Sequence, residues 1–70
     1  MFDHNKLIGK VIEVFLTRGA YGEAMGWSNV TLSKKLNSTV LFTQEEIRKS
    51  IDLLGIKEEE IIKYFFNKKV

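Results

Sequence analysis

Apolar residues recur along this chain at helical spacing, in short runs divided by turn and capping residues. Leu7, Ile8, Val11, Ile12, Phe15 and Leu16 form a broad stripe, with Lys6, Lys10 and Glu13 off it. That spacing predicts a first amphipathic helix running to about Leu16. Asp3 reads as its N-cap, and Phe2 and Leu7 stand where a hydrophobic staple would close. Gly9 interrupts the stripe and predicts a close approach by another helix. Thr17 reads as the next N-cap. Tyr21, Ala24 and Met25 share a face in a second helix over 18–25, and Leu32 and Leu36 share one in a third, from Asn29 to about Leu36. Between them, Gly26 sits where a helix ends in a positive φ, and Ser28 follows as an N-cap. Gly22 lies inside the second helix, where glycine costs about 1 kcal/mol relative to alanine. Its presence there predicts that the following helix crosses at this point.

The segment 37–42 turns from polar to apolar, and Val40, Leu41 and Phe42 are expected to fold back on the core. Phe42 repeats the staple with Ile47. Thr43 and Glu46 form a T-x-x-E capping box, the clearest helix start in the chain. A fourth helix over 44–54 follows, with Ile47, Ile51 and Leu54 on its apolar face and Gly55 at its end. Arg48 and Lys49 lie three and four residues after Glu45, a spacing that allows weak surface ion pairs. A fifth helix begins near Lys57. Glu58, Glu59 and Glu60 occupy its first turn, where the helix dipole favours acids. Consecutive carboxylates point around a helix rather than at one ion. Ile61, Ile62, Phe65 and Phe66 continue the apolar pattern. Five short helices with brief connections predict a compact all-α domain spanning residues 1–70.

Composition narrows the function classes. Cysteine is absent, which removes disulfides, thiolate chemistry and cysteine-based zinc sites. The one histidine, His4, reads as exposed and incidental. No nucleophile elbow, phosphate-cradling glycine loop or H-E-x-x-H motif occurs, so neither an enzyme, a cofactor, a metal nor a small-molecule ligand is expected. No apolar run approaches membrane-spanning length, and the N-terminus lacks the pattern of a signal peptide, so a cytoplasmic protein is expected. The net charge of +2 is too small to indicate a nucleic-acid partner by itself. Its distribution says more: between Thr17 and Ser38 there are three bases (Arg18, Lys34, Lys35) and one acid (Glu23), while acids gather at 45–46 and 58–60.

Tyr21, Gly22, Met25, Gly26, Trp27 and Leu32, in their spacing, resemble the DNA-binding helix-turn-helix of the lambda-repressor and Cro-like group. The whole chain resembles small Cro-like repressors of phages and prophages of Gram-positive bacteria. The resemblance rests on KLIGKVIEVF, TRGAYGEAMGWSNVTLSKKLN, LFTQEEIRKSIDLLGI and IIKYFFNKKV. Three positions depart from it. Lys35 stands where an apolar residue is usual, with Leu36 apolar instead. Ser38 replaces a glycine, and Leu41 stands where proline is frequent.

The resemblance implies a sequence-specific transcriptional regulator that occupies double-stranded operator DNA through its third helix. Asn29 would read adenine, Val30 would pack on a thymine methyl and Lys34 would donate to guanine. Thr31 and Ser33 would reach bases or phosphates, depending on the rotation that Lys35 imposes. Thr17, Arg18, Ser28 and Asn37 would hold phosphates. A homodimer on a pseudo-palindromic operator is expected, with Tyr64, Phe65 and Phe66 either at the dimer surface or in the core. The alternative is a protein-binding module on the same fold, such as an antirepressor or an antitoxin.

Overall fold

The computed structural model describes residues 2–68, and within them the chain forms five α-helices and one 3-10 turn. The helices are α1 (Asn5–Phe15), α2 (Arg18–Met25), α3 (Asn29–Leu36), α4 (Gln44–Leu54) and α5 (Ile61–Phe65). No helix among the described residues is long and apolar enough to cross a membrane. The expected all-α architecture holds, with local differences where tertiary contacts override the capping signals.

At the N-terminus the cap is His4 rather than Asp3; the Asp3 carboxylate instead accepts from the Asn5 N–H at 2.8 Å. The chain before it is tied down from elsewhere: the Asp3 N–H donates to the Asn67 carbonyl at 2.6 Å, and Phe2 bridges to Lys68. Phe2 closes edge-on against Phe66, with ring centroids 5.5 Å apart. Helix α1 stops at Phe15, and Leu16 turns outward at φ 71° and 79% exposure, so it leaves the apolar stripe to which its spacing assigned it. The acidic triplet forms a separate 3-10 turn, Glu58–Glu60, rather than the first turn of α5.

Three helices end in the same way. After α2, Gly26 takes φ 79°, its N–H reaches the Glu23 carbonyl at 3.0 Å, and the Trp27 N–H reaches Gly22 at 2.8 Å. This is a Schellman ending, which satisfies carbonyls that a helix C-terminus leaves open. Gly55 ends α4 at φ 66°, with the Ile56 N–H on the Ile51 carbonyl at 3.1 Å. After α3 the left-handed position falls to Ser38, at φ 63°, and the Thr39 N–H reaches the Lys34 carbonyl at 2.9 Å. A side chain in that region is strained by about 1–2 kcal/mol. The Ser38 hydroxyl offsets this by donating to the Phe2 carbonyl at 2.6 Å and meeting His4 Nδ1 at 3.2 Å. His4 is consequently buried, with Nδ1 also 3.2 Å from the Lys35 carbonyl, and not the exposed residue its terminal position suggested.

The core gathers Leu7 and Val11 from α1, Tyr21 and Met25 from α2, Leu32 and Leu36 from α3, Leu54 and Ile56 around the end of α4, and Phe65 from α5. A file of rings runs through it, Phe15 to Tyr21 to Trp27 to Phe42 to Phe65, with centroid separations of 5.8, 5.7, 5.7 and 5.2 Å. Tilted and edge-on pairs at these distances are favourable beyond the area they bury. Tyr21 is fully buried, and its hydroxyl pairs with Ser50 Oγ at 2.6 Å. Burial pushes its pKa up to about 12, against the opposite pull of that hydrogen bond. The phenol therefore stays neutral at any physiological pH. Phe42 joins the core as expected, but Val40 and Leu41 remain exposed.

Gly22 and Gly9 differ sharply. A Cβ at Gly22 would lie 3.0 Å from Leu32 Cδ2 and 3.5 Å from Leu32 Cβ, so α3 does cross here; at Gly9 nothing lies within 4 Å. The close approach expected at Gly9 is therefore absent. Gly9→Ala should raise stability by about 0.5–1 kcal/mol through helix propensity and a less free unfolded chain. Gly22→Ala gains the same propensity but crowds a buried leucine, at about 1–3 kcal/mol, and should lower stability by about 1 kcal/mol. Urea unfolding of the two variants should give midpoints shifted in opposite directions.

Candidate functional site at the helix-turn-helix

The turn joining α2 to α3 is three residues long, Gly26-Trp27-Ser28, and both helices are capped at their starts. Thr17 Oγ1 accepts from the Ala20 N–H at 3.1 Å, and Ser28 Oγ from the Thr31 N–H at 3.2 Å. The Ser28 hydroxyl also donates to Thr31 Oγ1 at 3.2 Å. Thr17 and Ser28, both expected to hold phosphates, and Thr31, expected to read bases, thus already serve the local caps. Their oxygens fix where each helix begins.

The rotation of α3 follows from which residues it buries. Leu32, Lys35 and Leu36 face inward, and Asn29, Val30, Ser33, Lys34 and Asn37 are exposed. The exposed set recurs at helical spacing and forms one continuous face. Four of the five expected base readers lie on it, Thr31 being half-buried; Asn37 closes the same face at the end of the helix. Arg18 is exposed at the start of α2.

Lys35 decides this rotation, and its role is the one that sequence reasoning missed. Its side chain is only 8% exposed, and Nζ donates to Glu46 Oε1 at 2.6 Å and to the Leu41 carbonyl at 2.8 Å. The ammonium also lies 5.9 Å from the Trp27 ring centroid and 6.0 Å from that of Phe42, where the ring faces attract it. Glu46 Oε1 simultaneously accepts the Thr43 N–H at 2.8 Å as the capping-box partner. One carboxylate oxygen therefore closes the start of α4 and neutralises a cation from α3. Burial alone would raise the Glu46 pKa; hydrogen bonds from Lys35 and Thr43, and the charge of Lys35, outweigh it and hold the carboxyl below the usual range. A signal was present in the sequence: a lysine between Leu32 and Leu36, at a position where an apolar residue is usual, needs an acid partner, and Glu45 and Glu46 at the next helix start are the acids nearest to it in the chain after it.

Withdrawing Lys35 changes the electrostatics of the motif. Of its three bases only Arg18 and Lys34 remain outward, and Glu23 on α2 is exposed as well. On the same face of α3 Val30 is 63% exposed; Leu41, exposed on the loop that Lys35 fastens, lies instead beside Phe2 and Phe66. The aromatic trio at the C-terminus does not form one surface. Phe65 is in the core, Tyr64 is half-buried with Lys63 Nζ 5.2 Å from its ring centroid, and Phe66 is exposed against Phe2.

Comparison with known proteins places this geometry in a family. The chain belongs to the family described as a protein of unknown function, DUF739, whose model matches residues 1–68. It is also similar to a solved structure, the solution structure of the modulator of repression (MOR) of the temperate bacteriophage TP901-1 from Lactococcus lactis. The two share 40% identity and superpose with a TM-score of 0.83, over 99% of this chain and 93% of that one. No curated protein matches in sequence. The likeness is thus to a phage regulatory protein, and the expected Cro-like repressor is not what these comparisons show.

The Lys35–Glu46 pair has a definite pH signature. The Glu46 carboxyl is depressed in the folded state relative to about 4.3 when unfolded, so its contribution is full above that value. It is lost as pH falls through the lower, folded pKa. The urea midpoint should therefore drop between about pH 5 and pH 3, and Glu46→Gln should remove that part of the slope. Glu46→Ala, which strands a buried ammonium, should cost about 3 kcal/mol, whereas Lys35→Met with Glu46→Gln, which removes both charges together, should change stability by about 1 kcal/mol or less.

Proposed function

We propose that this chain is a non-enzymatic phage regulator that acts through protein contact, binding a repressor with its helix-turn-helix face rather than occupying an operator. The observation that carries this reading is the likeness, over nearly the whole of both chains, to a phage modulator of repression. The chemistry of the face supports it. A helix-turn-helix that holds DNA draws most of its affinity from cations against phosphates. Here one of three cations is drawn inward by Glu46, two cap hydroxyls are engaged locally, and Val30 stands exposed among the polar residues of α3. Small apolar anchors surrounded by polar groups are the composition of a protein-binding patch.

Operator binding is the second reading, and one observation favours it. Asn29, Val30, Ser33, Lys34 and Asn37 form an uninterrupted outward face on α3, with Arg18 exposed at the start of α2. That face could lie in a major groove, with Asn29 on adenine and Lys34 on guanine. On this reading a homodimer would be needed for operator-level affinity; Ile62 and Phe66 are the exposed apolar residues that α5 and its C-cap would offer to it.

The two readings separate on partner, salt and mutation. Purified chain should bind the repressor encoded in the same phage genome, measured by anisotropy of labelled repressor, and this binding should persist at about 200 mM salt. Val30→Asp should weaken it about tenfold or more, with Asn29→Ala and Lys34→Ala having smaller effects. Selection from a random duplex pool should enrich nothing. An enriched two-fold motif, lost in the Asn29→Ala/Lys34→Ala double variant and falling steeply with salt, would overturn the protein-contact reading in favour of the operator.

A further inference from the structure

Away from α2 and α3, a cavity of about 500 Å³ opens between α4 and the segment that carries the 3-10 turn and α5. Its apolar floor is Ile47, Ile51 and Ile61, each half-buried, and its rim carries Glu45, Asp52 and Glu58 against the single cation Arg48. None of these rim groups is held in an ion pair among the described residues; the pairs there are Lys10–Glu13, Lys35–Glu46 and Lys63–Glu60. The α4 residues reach the groove by helical spacing: Gln44, Glu45, Arg48, Ile51 and Asp52 form one stripe, while Ser50 and Leu54 turn to the core.

We propose that this groove is a docking site for an amphipathic helix of a partner protein, one whose apolar anchors at i and i+4 are flanked by lysine or arginine. The occupant follows from the chemistry of the groove. A short trough with a branched aliphatic floor accepts the side chains of one helical face, and a groove of this kind is read by anchors one turn apart. Three unpaired carboxylates around one guanidinium select a cationic flank and reject an anionic one. Nucleic acid is disfavoured by the same charges, since phosphates would meet the carboxylates. None of the groove residues is used by the function proposed above, so the two surfaces can fail or succeed separately.

The test is a titration of the full, isotope-labelled chain with two synthetic helical peptides of about fifteen residues. Both carry the same leucine anchors, flanked by lysine and arginine in one and by glutamate in the other. The cationic peptide should give saturable shifts confined to residues 44–52 and 58–61, and it should bind about tenfold more tightly than the anionic one. Charge reversal at exposed positions, Glu45→Lys with Asp52→Lys, should keep the wild-type helical circular dichroism and invert the preference. Equal binding of the two peptides, shifts confined to α2 and α3, or no saturable shift at all would each overturn the proposal. Because neither peptide is a repressor, failure here leaves the repressor-binding reading to its own experiment.

Discussion

The structure depends on a single carboxylate oxygen. Glu46 Oε1 closes the capping box of α4 and receives the ammonium of Lys35 from α3, and Lys35 in turn holds the carbonyl of Leu41 in the connecting loop. Three segments that share no helix thereby acquire one relative position. The link is not a large net source of stability, because taking a lysine and a glutamate out of water costs about as much as their attraction returns. Its effect is on register. Any rotation of α3 that exposed Lys35 would bury Lys34 or Ser33 without a partner, and any that kept it buried without Glu46 would strand a charge. In a chain this small, whose total stability is on the order of 5 kcal/mol, that penalty suffices to select one rotation.

The same link shapes what the helix-turn-helix can do. A cation drawn inward is a cation removed from the surface that would meet phosphates. What remains outward is a mixed face of amides, hydroxyl, two bases and one exposed valine side chain. The backbone of the motif, with its Schellman ending at Gly26 and its threonine and serine caps, is the ordinary one. A helix held outward in this way can meet a protein or a nucleic acid, and the choice lies in a few outward side chains.

The chain termini are organised by a second polar cluster. Ser38 occupies the left-handed position after α3, a place where glycine would be unstrained, and its hydroxyl ties the Phe2 carbonyl to His4. His4 Nδ1 meets the Lys35 carbonyl, which also accepts the Ser38 N–H at 3.2 Å. The strain at Ser38 is thus stored beside the groups that anchor the N-terminal segment, and the Phe2–Phe66 pair carries the anchoring on to the end of α5.

The amino-acid sequence by itself determined the helices, because their signals are local. Stripes of apolar residues, the Thr17 and Ser28 caps, the T-x-x-E box and the glycines after α2 and α4 act within one or two turns, and the observed bounds of α2, α3 and α4 follow them. Gly22 was legible too, since a costly glycine in a helix implies a close neighbour, and Leu32 is that neighbour. Tertiary structure alone decided the rest. The first helix takes His4 as its cap because the Asp3 backbone bonds to Asn67, a partner at the other end of the chain. Leu16, Val40 and Leu41 stay in solvent although their apolar character suits a core, because the chain turns away before they can reach it. Above all, whether Lys35 faces water or the interior depends on a glutamate eleven residues away across a turn. No periodicity within α3 carries that information, since the rotation of a helix is set by what it packs against.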